Sequence, residues 1–348
     1  PGCRFVSKHL AGVGVIFYVM AALRARLAAT GTPGLASLSS YLDLVAVGTV
    51  ADVVALDHVN RTLVSQGLRR IRAGRGRPGI NALAEAAGRD WRKLSPEDIG
   101  FVIGPRINAA GRLQQARLAV ELLTTSDEHK ARQLATHLDK LNKDRRSLET
   151  RILKQAKKQV AEHPEWEDAA ALVLASPDWH AGVIGIVANR VVEEFEKPVI
   201  LVAISALEGI GKGSGRSFAG FDLYSGVAAC AEHLEGFGGH HAAAGLTIKS
   251  ENVGAFREAF AGYVAENHVV TEEDRELKID AEVRLADVTH KAVTALDALG
   301  PFGQANPRPR FAASDVELAG DFQSLMECFT YITSYECGGY VTCIVGGI

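Results

Sequence analysis

At 348 residues, with 47% hydrophobic and 23% charged residues, the chain has the composition of a globular protein of about two domains, which excludes a fibrous or disordered polymer. Its formal net charge of −3 excludes a global attraction for nucleic acid, so any such role must rest on local basic patches. The five cysteines, Cys3, Cys230, Cys328, Cys337 and Cys343, form no CxxC pair and no Cys/His ladder. A reducing compartment without structural zinc follows, and the chain is read as cytoplasmic.

The first expected element is a buried helix over the apolar run Leu10 to Leu23, which is too short to span a bilayer, so no membrane is expected as a partner. The chain starts at Pro1 without an initiator Met, as expected of a piece cut from something longer. The helical pattern continues to about residue 125, with stops at "GTPG", "AGRGRPG" and "AAGRD". Within it, "VAVGTVADVVALD" (45–57) sets a single acid, Asp52, in an apolar ribbon. Such an acid is either a structural cap or ion-pair partner, which spacing alone favours, or a ligand for a hard cation such as Mn²⁺ or Mg²⁺. Asp43 is a similar candidate. "RRIRAGRGR" (69–77) packs five arginines into nine residues; cations at a helix C-terminus are an ordinary stabilising device, and nucleic-acid contact is the lesser reading. "SPED" (95–98) is a strong helix start, with Ser95 as the cap.

"GPRINAAGRL" (104–113) sets Arg106, Asn108 and Arg112 among small residues, where guanidinium groups either grip phosphate oxygens or bridge helices through ion pairs. One long helix is expected over 127–162, because Leu134, Leu138, Leu141, Leu148 and Ile152 recur as one stripe. Its other faces carry Lys140, Lys143, Arg145, Arg146, Lys154, Lys157 and Lys158, read as a solvated side.

Beyond residue 167 the texture changes. "AAALVLA" and "PVILVA" read as strands buried on both faces with a helix between them, a βαβ unit that later strands extend into a second α/β domain. His180 falls at the strand-to-helix turn, where a helix N-terminus favours anions. "GKGSGRS" (211–217) departs from the dinucleotide fingerprint, since Arg216 stands where glycine is needed, and a Rossmann dehydrogenase is disfavoured. Exposed amides beside Ser214, Arg216 and Ser217 suggest an anion cradle instead. In "FGGHHAAAG" (237–245), Gly238 and Gly239 predict a positive-φ turn that presents His240 to a phosphate, with His241 incidental. A turn-rich segment with "LGPFGQANPRPRF" follows. The stretch 324–348, without Lys or Arg and with three of the five cysteines, is expected to be an anomalous tail.

Seven stretches, in this order, resemble the RecJ family of bacterial single-strand-specific DNA exonucleases, within the DHH phosphoesterase superfamily. They are "PGCRFVSKHLAGVGVIFYVMAALR", "DLVAVGTVADVVALDHVNRTLVSQGLRRIRAG", "GPRINAAGRL", "DWHAGVIGIVANR", "KGSGRS", "FGGHHAAAG" and "GPFGQANPRPRF". The resemblance implies an α/β chain holding the C-terminal part of a DHH catalytic domain (1–125) and a connecting helix (126–165). A DHH-associated domain (166–268) and the start of an oligonucleotide-binding barrel (275–323) would follow. It implies hydrolysis of single-stranded DNA from the 5′ end with Mn²⁺ or Mg²⁺, two metal ions activating water and stabilising the leaving oxygen. A helicase and a single-strand-binding protein are the implied partners. Asp52 matches the metal-binding Asp that follows "GTVA" in the family. Arg106, Asn108 and Arg112 would line the substrate groove, and His180, Ser214, Arg216, Ser217, Gly238, Gly239 and His240 would hold the DNA end.

The family's Asp-x-Asp motif, second acidic motif and Asp-His-His motif are absent from this sequence; Asp57-His58 is not followed by a second His. The metal site is therefore expected to be incomplete and the chain alone inactive. Two other readings remain: a catalytically silent single-stranded-DNA scaffold, and a superfamily phosphodiesterase for short oligonucleotides or cyclic dinucleotides.

Overall fold

The computed structural model describes residues 2, 4–271, 274, 276–314, 332–337 and 340–345. The chain divides into two compact units. The first comprises Pro1–Gly111, Gln115–Asp139 and Leu277–Ile348; the second comprises Arg112–Gln114 and Lys140–Glu276.

Up to Asp139 the first unit is helical, with α1 (Gly12–Ala29), α2 (Leu42–Ala51), α3 (His58–Arg70), α4 (Pro78–Ala86), α5 (Pro96–Asp98), most of α6 (Gly104–Leu113), α7 (Arg117–Thr124) and the start of α8 (Glu128–Glu162). The α2–α3 pair is antiparallel and closes on Gly67, where a Cβ would lie 2.2 Å from the Leu42 carbonyl oxygen. Only the missing side chain permits that approach. Asp57 caps α3, accepting from the Val59 and Asn60 amides at 3.0 Å each, and Ser7 Oγ donates to its other oxygen at 2.6 Å. Buried Asn60 donates to the carbonyls of His9 and Ala55, tying the segment before α1 and the turn after Asp52 to α3. Ser95 caps α5 through a reciprocal capping box with Asp98, as "SPED" implies, and α5 passes through a π-helical turn (Ile99–Ile103) into α6.

Two expectations need correction here. The helix expected over Leu10 to Leu23 forms as α1, but of its residues only Gly14 is buried, and Val15, Ile16, Val19 and Leu23 are each about half exposed. Its apolar residues surround the axis, while its packing on the described residues covers one narrow side. By length and composition α1 passes as a membrane-crossing helix. The second correction concerns Asp43, which is fully buried and accepts from the amides of Leu44 and Arg77 and from the Arg77 guanidinium. Its oxygens are committed to structure.

The second unit contains the rest of α8, α9 (Pro164–Glu167), β1 (Leu172–Ser176), α10 (Ala181–Phe195), β2 (Val199–Ser205), β3 (Ile210–Arg216), α11 (Leu223–Ala229), β4 (Leu234–His240), β5 (Ala243–Lys249) and α12 (Val253–Asn267). The strand order is β1-β2-β3-β5-β4, with β1 and β2 parallel and the other pairs antiparallel. Strand alternation divides the core. Leu172, Leu174, Val199 and Leu201 pack with Val183, Val187 and Val191 of α10 and with Ile152 and Val160 of α8. Val173, Ile200, Val202 and Ile248 pack on the other face against Phe256, Phe260 and Val264 of α12. Burial on both faces explains the continuous apolar runs of β1 and β2.

The long helix forms over Glu128–Glu162, but Arg145 departs from the solvated side. It is buried, donating to Asn142 Oδ1 and to Glu149 at 3.0 Å, because Glu149 one turn later supplies an i,i+4 carboxylate.

Back in the first unit, β6 (Ala281–Glu282), α13 (His290–Asp297), β7 (Phe311–Ala313), β8 (Ile332–Cys337) and β9 (Tyr340–Val345) form a four-stranded sheet of order β6-β7-β9-β8 with one helix. The loop between α13 and β7 docks on α3 and the segment before it: the Leu56 amide donates to Gln304 O at 2.7 Å, and Arg61 donates to Leu299 O at 2.5 Å. Two stretches of the tail expected to be anomalous pair as strands here, β9 with both β7 and β8, which suits their Val, Ile, Thr and Tyr content. The remainder of 324–348 and residues 315–323 lie outside the described residues.

Candidate functional site

In the first unit Asp52 is the C-cap of α2. Its exposed carboxylate has no hydrogen-bond partner among the described residues and edges a pocket of about 380 Å³ lined by Ala11, Val13, Gly48, Ala51 and Asn108. Gly48 brings α2 against Val13, where a Cβ would sit 2.7 Å from a methyl group. Val53, directly after the acid, holds φ at 54°, the left-handed region that a β-branched residue enters only when its surroundings enforce it. Among the described residues no three of His, Cys, Asp and Glu cluster as metal ligands. One carboxylate beside one amide does not fit a divalent cation, which takes about six oxygen donors, several of them usually charged.

Of the residues expected to grip phosphate from "GPRINAAGRL", only Asn108 joins that pocket. Arg106 is turned inward: Nε and Nη2 reach Asp139 at 3.0 and 2.8 Å, and Nη1 donates to Val102 O. This is the ion-pair alternative for Arg106. Arg112 belongs to the second unit.

There Arg112 Nη1 donates to Gly182 O at 3.1 Å, and a Cβ on Gly182 would lie 2.3 Å from the Arg112 carbonyl. His180 is the N-cap of α10, its Nδ1 accepting from the Gly182 amide. One turn on, Gly185 faces Ser214 Oγ and the Arg216 guanidinium, both within 3.0 Å of where its Cβ would stand. Arg216 Nη1 donates to Ser214 Oγ at 3.1 Å and to Gly215 O at 2.7 Å. Burial first, and then the like charge of Arg112, lower the Arg216 pKa below its ordinary value. A bound anion would relieve the second of these effects.

The sheet extends this cluster. Arg216 pairs with Ala243 and Ala243 with His240, while Ser214 pairs with Gly245 and Gly245 with Gly238. Paired residues project to the same face and alternate along each strand, so Ser214, Arg216, Gly238 and His240 share one face. The residues between them are glycine or alanine, which leaves a shallow floor about two strand spacings, roughly 10 Å, across. Ser217 closes the end of β3, its amide donating to Ala242 O and its hydroxyl to Phe221 O. The expected turn at Gly238 and Gly239 is corrected: both lie inside the exposed edge strand β4, and the chain reverses after His240. Gly239 nevertheless needs to lack a side chain, at φ 149° with a Cβ position 2.3 Å from Ala243 O.

Residue types alone did not single out Glu149 and Arg190. Glu149 is 4% exposed and binds Arg145 at 3.0 Å and Arg190 Nε at 2.8 Å. Burial lowers the Arg145 pKa, the Glu149 charge raises it, and Arg112, Arg146 and Arg190 lower it further. The i,i+4 spacing of Arg145 and Glu149 was the available signal.

Residues 168–266 match the DHHA1 domain and residues 279–327 the RecJ OB domain. The chain is 46% identical over 320 residues to the single-stranded-DNA-specific exonuclease RecJ of Dickeya dadantii and 41% identical to that of Escherichia coli, matching 89% of this chain and 55% of each relative. It thus spans about half the length of these relatives. The crystal structure of RecJ in complex with Mg²⁺ from Thermus thermophilus superposes with a TM-score of 0.79 at 31% identity, covering 99% of this chain and 56% of that one. An exonuclease RecJ bound to manganese gives 0.64 at 36% identity, over 80% and 66%.

Proposed function

Because this chain belongs to the RecJ family and carries its DHHA1 and OB domains, we propose that it is the DNA-holding and partial catalytic portion of a 5′-to-3′ single-stranded-DNA exonuclease. In this reading the second unit binds the 5′ end of a single strand. The observation that carries it is the shared face of Ser214, Arg216, Gly238 and His240 beside the α10 N-terminus and Arg112. A terminal phosphate there would meet guanidinium and hydroxyl donors and the positive end of a helix. The bare glycine floor lets the backbone of the strand approach.

Asp52 contributes one ligand to a Mn²⁺ or Mg²⁺ cluster whose other members this sequence does not contain. No hydrolytic step is assigned to the described residues for that reason. Asn108 borders the same pocket and would contact a nucleotide rather than bind metal. Arg106 supports the site indirectly through Asp139. The reading carries with it a cytoplasmic location, a helicase that supplies single strands, and a single-strand-binding protein that shields them.

The test is an affinity comparison on this chain between 5′-phosphorylated and 5′-hydroxyl single strands. Arg216→Ala should abolish a preference for the phosphorylated end; equal affinity for both ends in the parent chain removes the cradle. Supplying the family's acidic and histidine motifs should give Mn²⁺-dependent cleavage that Asp52→Ala abolishes, and full activity in that variant would sink the role of Asp52.

A further inference from the structure

The arginine-rich run 69–77 and the segment 89–93 are separate in sequence, and the fold brings them together. The π-helical turn Ile71–Arg75 lies against the short 3₁₀ helix Trp91–Lys93: Arg72 Nε donates to Leu94 O at 2.8 Å, and a Cβ on Gly74 would touch the Trp91 ring at 3.6 Å. Gly74 takes φ +71°, which turns the chain there and needs a residue without a side chain. The combined surface holds Arg69, Arg70, Arg72, Arg75, Arg77, Arg89, Arg92 and Lys93 on a chain whose net charge is −3.

Ordinary structural roles explain only part of this set. Arg69 and Arg70 occupy the last turn of α3, where the helix dipole favours cations. Arg77 serves buried Asp43, and Arg89 pairs with Asp98 at 3.4 Å. Arg72, Arg75 and Lys93 are exposed and have no acidic partner among the described residues, and Arg92 has only a loose, exposed contact with Asp90 at 3.5 Å. Trp91 is not free to stack on a base: Arg92 lies over its ring at 4.1 Å, Gly74 meets its edge, and its indole N–H donates to Glu85 at 3.1 Å.

We propose that Arg72, Arg75, Arg92 and Lys93 form a second contact surface for single-stranded DNA, gripping its phosphate backbone without reading bases. The surface lies at the C-terminal end of α3, whereas Asp52 precedes the N-terminal end. Thirteen residues of helix separate them, about 20 Å at 1.5 Å per residue. A strand engaged near Asp52 would have to continue for several nucleotides to reach it. Exposed guanidinium and ammonium groups suit phosphate oxygens, and counterion release is what such contacts contribute. The proposal rests on the reading of the chain as a single-strand-binding enzyme.

The test titrates the 348-residue chain into a fluorescent 5′-hydroxyl oligothymidylate at several salt concentrations. Arg75→Ala/Lys93→Ala should weaken binding about tenfold at low salt and reduce the slope of log Kd against log salt by about 1.4, two phosphate contacts at about 0.7 each. The charge-conserving pair Arg75→Lys/Lys93→Arg should restore both. The ratio of affinities for 5′-phosphate and 5′-hydroxyl strands should stay at the parent value, since that ratio belongs to Arg216. Unchanged affinity and slope in the alanine pair overturn the proposal; if polyglutamate, titrated in parallel, alone loses affinity, the surface belongs to an acidic protein instead. A parent with no preference between strand ends whose alanine pair still loses tenfold keeps this surface and removes the cradle instead. No binding by the parent to any strand removes both.

Discussion

The two regions that could touch DNA chemistry differ in how far their polar groups are already held. In the second unit, Arg216 is tied to Ser214 and to its own strand, and Arg112 is fixed on the first turn of α10. Nearby, Glu149 is buried between Arg145 and Arg190. In the first unit, Asp52 stands exposed at a pocket edge with an amide for company. The contrast follows from what each region needs. The proposed phosphate cradle needs only donors that one sheet and one helix can supply, whereas a cation site needs several carboxylates or imidazoles to converge, and among the described residues no such group includes Asp52. The polar groups of the second unit are therefore held by protein partners while Asp52 is not, and perturbing each should give effects of different size.

The largest effect is expected from Glu149→Ala. This removes the carboxylate partner of buried Arg145 and leaves a charge without compensation, which costs about 3–5 kcal/mol in comparable buried pairs. Urea unfolding followed through Trp166 and Trp179 in the second unit measures it. A loss below about 1 kcal/mol would mean that the pair is solvated as a surface pair is, and the contrast between the regions would weaken. Gly67→Ala comes next, since its methyl would overlap the Leu42 carbonyl and force α2 from α3. Overpacking of this kind costs about 1–3 kcal/mol, read as an earlier unfolding midpoint of the first unit with no change in the second.

Asp57→Ala should cost about 1 kcal/mol as the loss of an N-cap. Burial raises the Asp57 pKa, but hydrogen bonds from Asn60, Ser7 and Val59 and the charge of His9 outweigh it and hold the carboxyl below its usual value. A folded-state pKa lower than the unfolded one gives stability that is fully present above about pH 4 and is lost as pH falls through the folded value. The variant should lack that acid-side loss. Parallel stability curves for parent and variant below about pH 4 would show that the cap does not act through its charge.

Much of this was legible in the residues. The two-sided apolar runs marked β1 and β2, "SPED" marked a capped helix, and seven collinear stretches marked the family. Legibility failed where a residue's role depends on what another segment brings to it. Arg145 read as solvated because its own neighbours are basic, and only the fold reveals how deeply it and Glu149 are buried. Arg106 could read as a phosphate contact or as an ion-pair partner, and the choice was made by Asp139, 33 residues away. The glycines of "FGGHH" suggested a turn, yet they serve a strand face that is shallow because its neighbour β5 is also built of glycine and alanine. α1 read as a core helix from its composition, although composition does not say whether anything covers it.

The smallest expected effect belongs to Asp52→Asn, and it is the most informative about the first region. Asp52 is exposed and its carboxylate bonds to nothing among the described residues, so the change should leave stability within about 0.5 kcal/mol, as for a surface site without special contacts. The strain at Val53 is a backbone property and should survive the substitution. A single carboxylate holds Mn²⁺ no better than an isolated acid does, so calorimetric titration of the parent and of Asp52→Asn should give the same weak response. A clear stability loss would mean that Asp52 serves the fold after all, as its lone place in an apolar ribbon first suggests. Tight Mn²⁺ binding by the parent that the variant loses would mean that the first region completes a cation site from residues not credited with it, and the difference between the two regions would vanish.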